Sequence, residues 1–225
     1  MIHRLDGLSI IMRDKKLAML LSGLKQLQSH SIELEQYPTP GDLAARWLTD
    51  IFSFGDLFEG CSVVDLGTGN GILGLGAMTL GARRAILIDS DKEACQTAME
   101  NVDLMGLTES VEVVCATLGV DEINLNSPDL IITNPPWGRQ TPKADRPILD
   151  VILSEKKTTH LMHSAGASHI DSFFDPNEWK LDRYSEADFP LPAAFSHHTS
   201  RRGKTRAAFW RLTPAENTDI VPDRS

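Results

Sequence analysis

Residues 62–73 read SVVDLGTGNGIL. An apolar, β-branched run from Ser62 to Leu66 stops at Gly67. Glycines recur at Gly69 and Gly71 before apolar residues resume. That order is a strand, a tight turn and the start of a helix, since glycine permits the turn and lets backbone approach a ligand closely. The style repeats downstream in AILID (85–89), VEVVC (111–115) and DLIITNPP (129–136), with helical stretches predicted over 72–80 and 92–105. Strands alternating with helices imply βαβ units and a parallel sheet. The runs are apolar on both faces, as in strands covered by helices on each side.

Upstream, Leu17, Leu20, Leu21, Leu24 and Leu27 are spaced as one helical face, which predicts an amphipathic helix over 14–29. Pro38-Thr39-Pro40 marks the start of a second helix over 41–53. Downstream, a helix over 147–155, a strand over 158–163 and a helix over 167–174 are expected. The stretches 179–189 and 206–213 read as an antiparallel, hairpin-like end to the sheet. These elements divide the chain into a helical N-terminal extension (1–33), a main domain (34–213) and a polar tail (214–225).

The chain has 225 residues, enough for one domain with small appendages. Hydrophobic residues at 41% and charged residues at 24% exclude a disordered, collagenous or coiled-coil chain. A net charge of −9 excludes attachment to nucleic acid by bulk charge. Cys61, Cys95 and Cys115 form no CxxC pair, which fits a reducing compartment rather than a disulfide framework or a zinc site. The N-terminal stretch has no apolar segment of signal-peptide length. The longest uncharged run, 66–82, is glycine-rich and too short to cross a membrane. A soluble, cytoplasmic protein without membrane attachment is expected.

Two motifs carry chemistry. The first is the glycine loop with Asp89 at the next strand end, where an acidic residue takes the ribose hydroxyls of a nucleoside cofactor. The spacing is G-x-G-x-G, with Asp65 two residues before the first glycine. That carboxylate repels a pyrophosphate and suits a cationic amino group, as in S-adenosylmethionine. The second is Asn134-Pro135-Pro136-Trp137-Gly138, which ends the fourth strand. Prolines donate no backbone hydrogen bond, so the carbonyls there only accept. The Asn134 amide oxygen and the Pro135 carbonyl can hold an exocyclic NH2, and Trp137 offers a face on which a planar base stacks.

The two motifs, in this order, resemble amino-methyltransferases that use S-adenosylmethionine. LEQYPT (34–39), LAAR (43–46), DLGTGNGIL (65–73), IDSD (88–91), NPPWG (134–138) and FPLPAAFSHH (189–198) together resemble the methyltransferase-like protein 5 family, over most of the chain. The resemblance implies an α/β fold: a Rossmann-like class I methyltransferase with a seven-stranded, mostly parallel sheet, helices on both faces and an antiparallel last strand. It implies methylation of N6 of an adenine in small-subunit ribosomal RNA. It assigns Gln36, Thr39, Asp65, Gly67, Gly69 and Asp89 to the cofactor, and Asn134, Pro135, Pro136 and Trp137 to catalysis. It places Phe195 near the mouth of the site. Where the family carries an Asp after the third strand this chain has Ala116, leaving the Thr117 hydroxyl as substitute. The family often has Phe in place of Trp137. The resemblance also implies a small zinc-binding activator protein as heterodimer partner, here expected to pair with the strand edge at Val111–Cys115.

Residues 197–211 hold five Lys or Arg and no acid, on a chain that is otherwise acidic. His197, Arg201, Arg202 and Lys204 are therefore candidates for RNA contact. His197 and His198 lack Cys or Asp partners at ligand spacing, and no metal site is expected. Three other functions fit the same motifs. A protein glutamine amide is also planar and suits the same acceptors, as does N2 of guanine. A cofactor-binding ribosome-assembly factor without catalysis is the third reading.

Overall fold

The computed structural model describes residues 7–28, 35, 37–190 and 204–215. Two helices, α1 (Gly7–Ser22) and α2 (Gly41–Phe54), precede a run of β1 (Ser62–Leu66), α3 (Ile72–Thr79), β2 (Arg84–Asp89), α4 (Lys92–Leu104), β3 (Val111–Cys115) and β4 (Leu130–Thr133). Then follow α5 (Arg146–Glu155), β5 (Thr159–Ser164), α6 (His169–Phe173), β6 (Trp179–Pro190) and β7 (Lys204–Pro214). The strands form one seven-stranded sheet in the order β3-β2-β1-β4-β5-β7-β6. β1 to β5 are parallel, and β7 runs antiparallel to both β5 and β6. The expected α/β sheet with an antiparallel end is present.

Strand periodicity sorts successive residues to opposite faces. Val63, Ile132, Met162 and Phe209 join the core beneath α1 to α4, while Val64, Ile131, Leu161 and Trp210 join the core beneath α5 and α6. The sheet is thus covered on both faces, as the doubly apolar strands require.

α1 spans Gly7–Ser22, earlier than the 14–29 helix that leucine spacing predicted. The chain turns at Gly23, yet Leu24 stays buried with Leu17 and Leu21 against the α2 and α3 side of the sheet. Apolar spacing therefore ran on past the helix end, because the following turn docks on the same core. Each such leucine contributes about 1.5–3 kcal/mol by burial. Lys25 continues this docking: its N–H donates to Asn101 Oδ1 at 2.8 Å, and its carbonyl accepts from Asn70 Nδ2 at 2.9 Å. The N-terminal stretch set apart from the sequence is thus, from Leu17 to Gln28, packed on the main domain.

A buried polar chain ties α2 to the antiparallel end. Trp47 Nε1 donates to the Tyr184 hydroxyl at 2.8 Å, which lies 3.0 Å from His160 Nδ1. His160 Nε2 reaches Asp56 at 2.9 Å, and Arg211 donates to both Asp56 oxygens at 2.6 and 2.8 Å. Burial lowers the His160 pKa, against its bond to Asp56, which raises it.

Candidate active site

The strand order turns back between β1 and β4, so the loops leaving these two strands diverge and open a crevice at their carboxyl ends. A cavity of about 320 Å³ lies there. Its lining is drawn from the ends of β1, β2, β3 and β4, from the start of α5 and from the segment before α2. Of the residues singled out in the sequence, Thr39, Gly67, Gly69, Asp89, Thr117, Asn134, Pro135 and Pro136 line this one cavity. Gln36, Phe195, His197, Arg201 and Arg202 lie outside the described residues, and Lys204 opens β7.

The glycine loop is held by backbone. The N–H groups of Gly67 and Thr68 both donate to Ile88 O at 2.9 Å. Gly71 has φ of 87° and begins α3, a left-handed conformation that a Cβ disfavours. Asp89 Oδ2 accepts from Gly69 N at 2.8 Å and Oδ1 from Asp91 N at 3.0 Å. Burial raises its pKa, against these two bonds. Each Asp89 oxygen retains a lone pair for a hydroxyl in the cavity.

Asp65 departs from its expected place. It is 0% exposed and does not line the cavity. Its Oδ2 accepts from Thr68 Oγ1 at 2.7 Å and from Gly74 N at 2.9 Å, while Oδ1 is buried with no hydrogen-bond partner. Burial pushes its pKa up to about 6. Asp65 braces the turn from below instead of touching a ligand through the cavity wall.

Asn134 is fixed on both sides. Its Nδ2 donates to Thr39 Oγ1 at 3.1 Å, and its Oδ1 accepts from Trp137 Nε1 at 3.1 Å. Trp137 itself is 7% exposed. Its ring lies 6.1 Å from His163 at 22° and 5.0 Å from Phe189. The expected open stacking face is therefore absent in this arrangement: the ring packs against His163 of β5 and Phe189 of β6, where its apolar area is best used. The indole N–H, which a Phe lacks, supplies the contact to Asn134.

Glu35 was overlooked in the sequence. It is 4% exposed, and its carboxylate accepts from Trp137 N at 2.8 Å and Gln140 N at 2.6 Å. An acid set among Leu34, Tyr37 and Pro38 was the available signal.

Asp145, His163 and His169 lie close enough together for a cation. However, His163 Nδ1 accepts from Ser164 N at 2.8 Å, so its Nε2 carries the hydrogen and faces Asp145 at 3.4 Å. A metal needs that lone pair. The trio instead braces the start of α5: burial opposes ionisation of Asp145, but the 2.6 Å bond to His169 and the nearby His163 ring hold its pKa at about 2.

The basic cluster is also altered by the fold. Arg206 is paired with Glu186 at 2.8 Å and Arg211 with Asp56. Exposed cations also occur at Arg139 and Lys143, on the loop that follows Trp137, and at Arg146, the first residue of α5. Arg139 Nη2 donates to Thr205 Oγ1 at 2.5 Å, which joins this loop to the start of β7.

Residues 43–135 match the family description for ribosomal protein L11 methyltransferase (PrmA). That match ends inside the Asn-Pro-Pro motif, so it covers the glycine-loop half of the crevice. An uncharacterized protein of Methanocaldococcus jannaschii is 32% identical over 90% of this chain and 94% of its own length. The rRNA N(6)-adenosine-methyltransferase METTL5 of Danio rerio is 28% identical over 90% of this chain and 100% of its own. The chain belongs to the methyltransferase-like protein 5 family. A candidate RNA methyltransferase from Pyrococcus horikoshii superposes with a TM-score of 0.77, at 28% identity, over 92% of this chain and 98% of that one. Family membership makes the chain an S-adenosylmethionine-dependent methyltransferase. The cavity fits that cofactor: glycine backbone for close approach, Asp89 with spare lone pairs for ribose hydroxyls, and apolar Ile88, Ala116 and Leu118 for a base.

No described helix is long and apolar enough to cross a membrane. Cys61, Cys95 and Cys115 are free thiols.

Proposed function

We propose that this protein methylates N6 of an adenine in ribosomal RNA, with small-subunit RNA as the substrate and the cytoplasm as the compartment. One observation carries the reading: Asn134, Pro135 and Pro136 share a single cavity with the glycine loop and Asp89, and the Asn134 amide is oriented by bonds on both of its sides. When bound, S-adenosylmethionine supplies a methyl already activated by a positively charged sulfur. Thr39, Gly67, Gly69, Asp89 and Thr117 hold it. Asn134 Oδ1 keeps one lone pair after accepting from Trp137, and with the Pro135 carbonyl it accepts the two hydrogens of the target NH2. That contact turns the nitrogen lone pair out of the ring plane. Once methylated, the nitrogen releases one of its two protons to water, so positioning, rather than a strong base, supplies most of the rate gain.

RNA as the substrate is supported by Arg139, Lys143 and Arg146, which are exposed beside the catalytic loop on an otherwise acidic protein. Single-stranded RNA is recognised with its bases splayed out, and a base is flipped out for chemistry. A small zinc-binding activator pairs with β3. That strand stands at one edge of the sheet, hydrogen-bonded on one side to β2. An open edge of five residues accepts an added strand.

The test is transfer of a labelled methyl from S-adenosylmethionine to ribosomal RNA, with nucleoside analysis, for the wild type and Asn134→Ala. Label in N6-methyladenosine that falls at least 100-fold in the variant, with S-adenosylhomocysteine affinity within threefold, supports the function. Label that appears only in protein overturns it in favour of a side-chain amide.

A further inference from the structure

Glu35 is a buried acid that, among the described residues, has no Lys, Arg or His in an ion pair with it. Its partners are backbone N–H groups of one loop. Oε2 accepts from Trp137 N at 2.8 Å. Oε1 accepts from Gln140 N at 2.6 Å and, at the limit of bonding distance, from Thr141 N at 3.5 Å. The loop needs such an anchor. Pro135 and Pro136 have no N–H to offer a ladder, and regular structure does not resume until α5 at Arg146. Its donors must find an acceptor when buried.

The same upstream segment grips the loop a second time, through Thr39 Oγ1 on Asn134 Nδ2. Between the two grips lies Trp137, whose backbone N–H is held by Glu35 and whose indole N–H holds Asn134 Oδ1. Position thus passes from the Glu35 carboxylate to Trp137 and on to the amide oxygen that accepts the target NH2.

We propose that Glu35 is a positioning residue for methyl transfer, clamping loop 137–141 so that the Asn134 carbonyl stays directed into the cavity. The inference rests on the proposed role of Asn134. A carboxylate is required because both oxygens accept. A carboxamide of the same size turns an NH2 toward a backbone N–H, so donor faces donor. Aspartate keeps two accepting oxygens on a shorter arm. An acceptor role therefore ranks activity Glu, then Asp, then Gln, whereas a packing role ranks Gln above Asp.

The test compares Glu35→Gln and Glu35→Asp in the full chain. Steady-state transfer to ribosomal RNA is measured beside hydrogen–deuterium exchange of the Trp137 and Gln140 amides. For Glu35→Gln the expected result is a fall in kcat of at least 30-fold, KM for RNA within threefold, and amide exchange at least tenfold faster. Glu35→Asp should fall about three- to tenfold and still serves if the other variant fails to fold. Transfer by Glu35→Gln within threefold of wild type, or Gln outperforming Asp, overturns the proposal. The exchange readout does not depend on the substrate. Fast loop amides in a protein whose wild type does not methylate RNA support the clamp and refute the proposed function instead. Unchanged amide exchange in Glu35→Gln refutes the clamp itself.

Discussion

The Asp65→Asn substitution should stabilise the ligand-free protein at neutral pH and destabilise it by about 1 kcal/mol near pH 4. Asp65 is fully buried, and one of its oxygens has no partner. Its pKa stands at about 6 in the folded chain, against about 3.9 for an unperturbed Asp in the unfolded one. A carboxyl with a raised folded pKa contributes stability fully below the unfolded value. That contribution is lost as pH rises from 4 through 6. Two units at about 1.36 kcal/mol each set an upper bound of about 3 kcal/mol on the loss at pH 7. The amide keeps an oxygen for Thr68 and Gly74 and never ionises. Its NH2, in the place of the orphaned oxygen, costs about 1 kcal/mol. The net gain is about 1–2 kcal/mol at pH 7.5, or a Tm rise of about 2–8 °C for a chain of this size. Thermal melts of wild type and variant from pH 4 to 8 read it directly. Equal destabilisation of the variant at both ends of that range would refute the argument, because the buried charge would then contribute nothing to the pH dependence. The same variant should bind S-adenosylmethionine less tightly, since a negative charge near a cationic ligand has been removed.

Asp56→Ala strands Arg211 and His160, and should cost about 3 kcal/mol or more, read as a shift in urea midpoint. Burial opposes the ionisation of Asp56, but bonds from Arg211 and His160 hold its pKa at about 2, as the histidines do for Asp145. Depressed carboxyls contribute stability above pH 4 that is lost as pH falls toward 2, so acid unfolding should steepen in that window and flatten in Asp145→Asn. Gly71→Ala places a Cβ 3.1 Å from Leu75 Cδ1 at a φ of 87°, and should cost about 1–2 kcal/mol in thermal melts. Arg139→Ala combined with Lys143→Ala should weaken RNA binding, and lower the slope of log K against log salt by about 0.7 per contact removed, while S-adenosylhomocysteine affinity is unchanged.

The parallel strands were legible because a strand buried on both faces must be apolar throughout. LIIT therefore marks β4, buried along its whole length. The α1 boundary was not legible. Leucine spacing reports burial, and Leu24 is buried whether or not the backbone there is helical. The residues of the glycine loop and of the Asn-Pro-Pro motif could be named from the chain, since each performs its task with local backbone geometry. Trp137 could not be placed. Its type suggests a stacking face, but which way the ring turns depends on the space left by His163 and Phe189, both remote in sequence. Two members of the basic cluster were illegible for the same reason, because Arg206 and Arg211 find acids on other strands and loops.

Strand and helix periods, glycine turns and the pair of chemical motifs are properties of short segments. The amino-acid sequence alone therefore determined the α/β sheet, the glycine-loop half of the crevice and the Asn-Pro-Pro motif beside it. The tertiary structure decided what depends on contacts across 60 residues or more: Glu35 on loop 137–141, Thr39 on Asn134, and Arg139 on Thr205. Hydrogen bonds act over about 3 Å, and no local pattern encodes which distant backbone amides a carboxylate will meet.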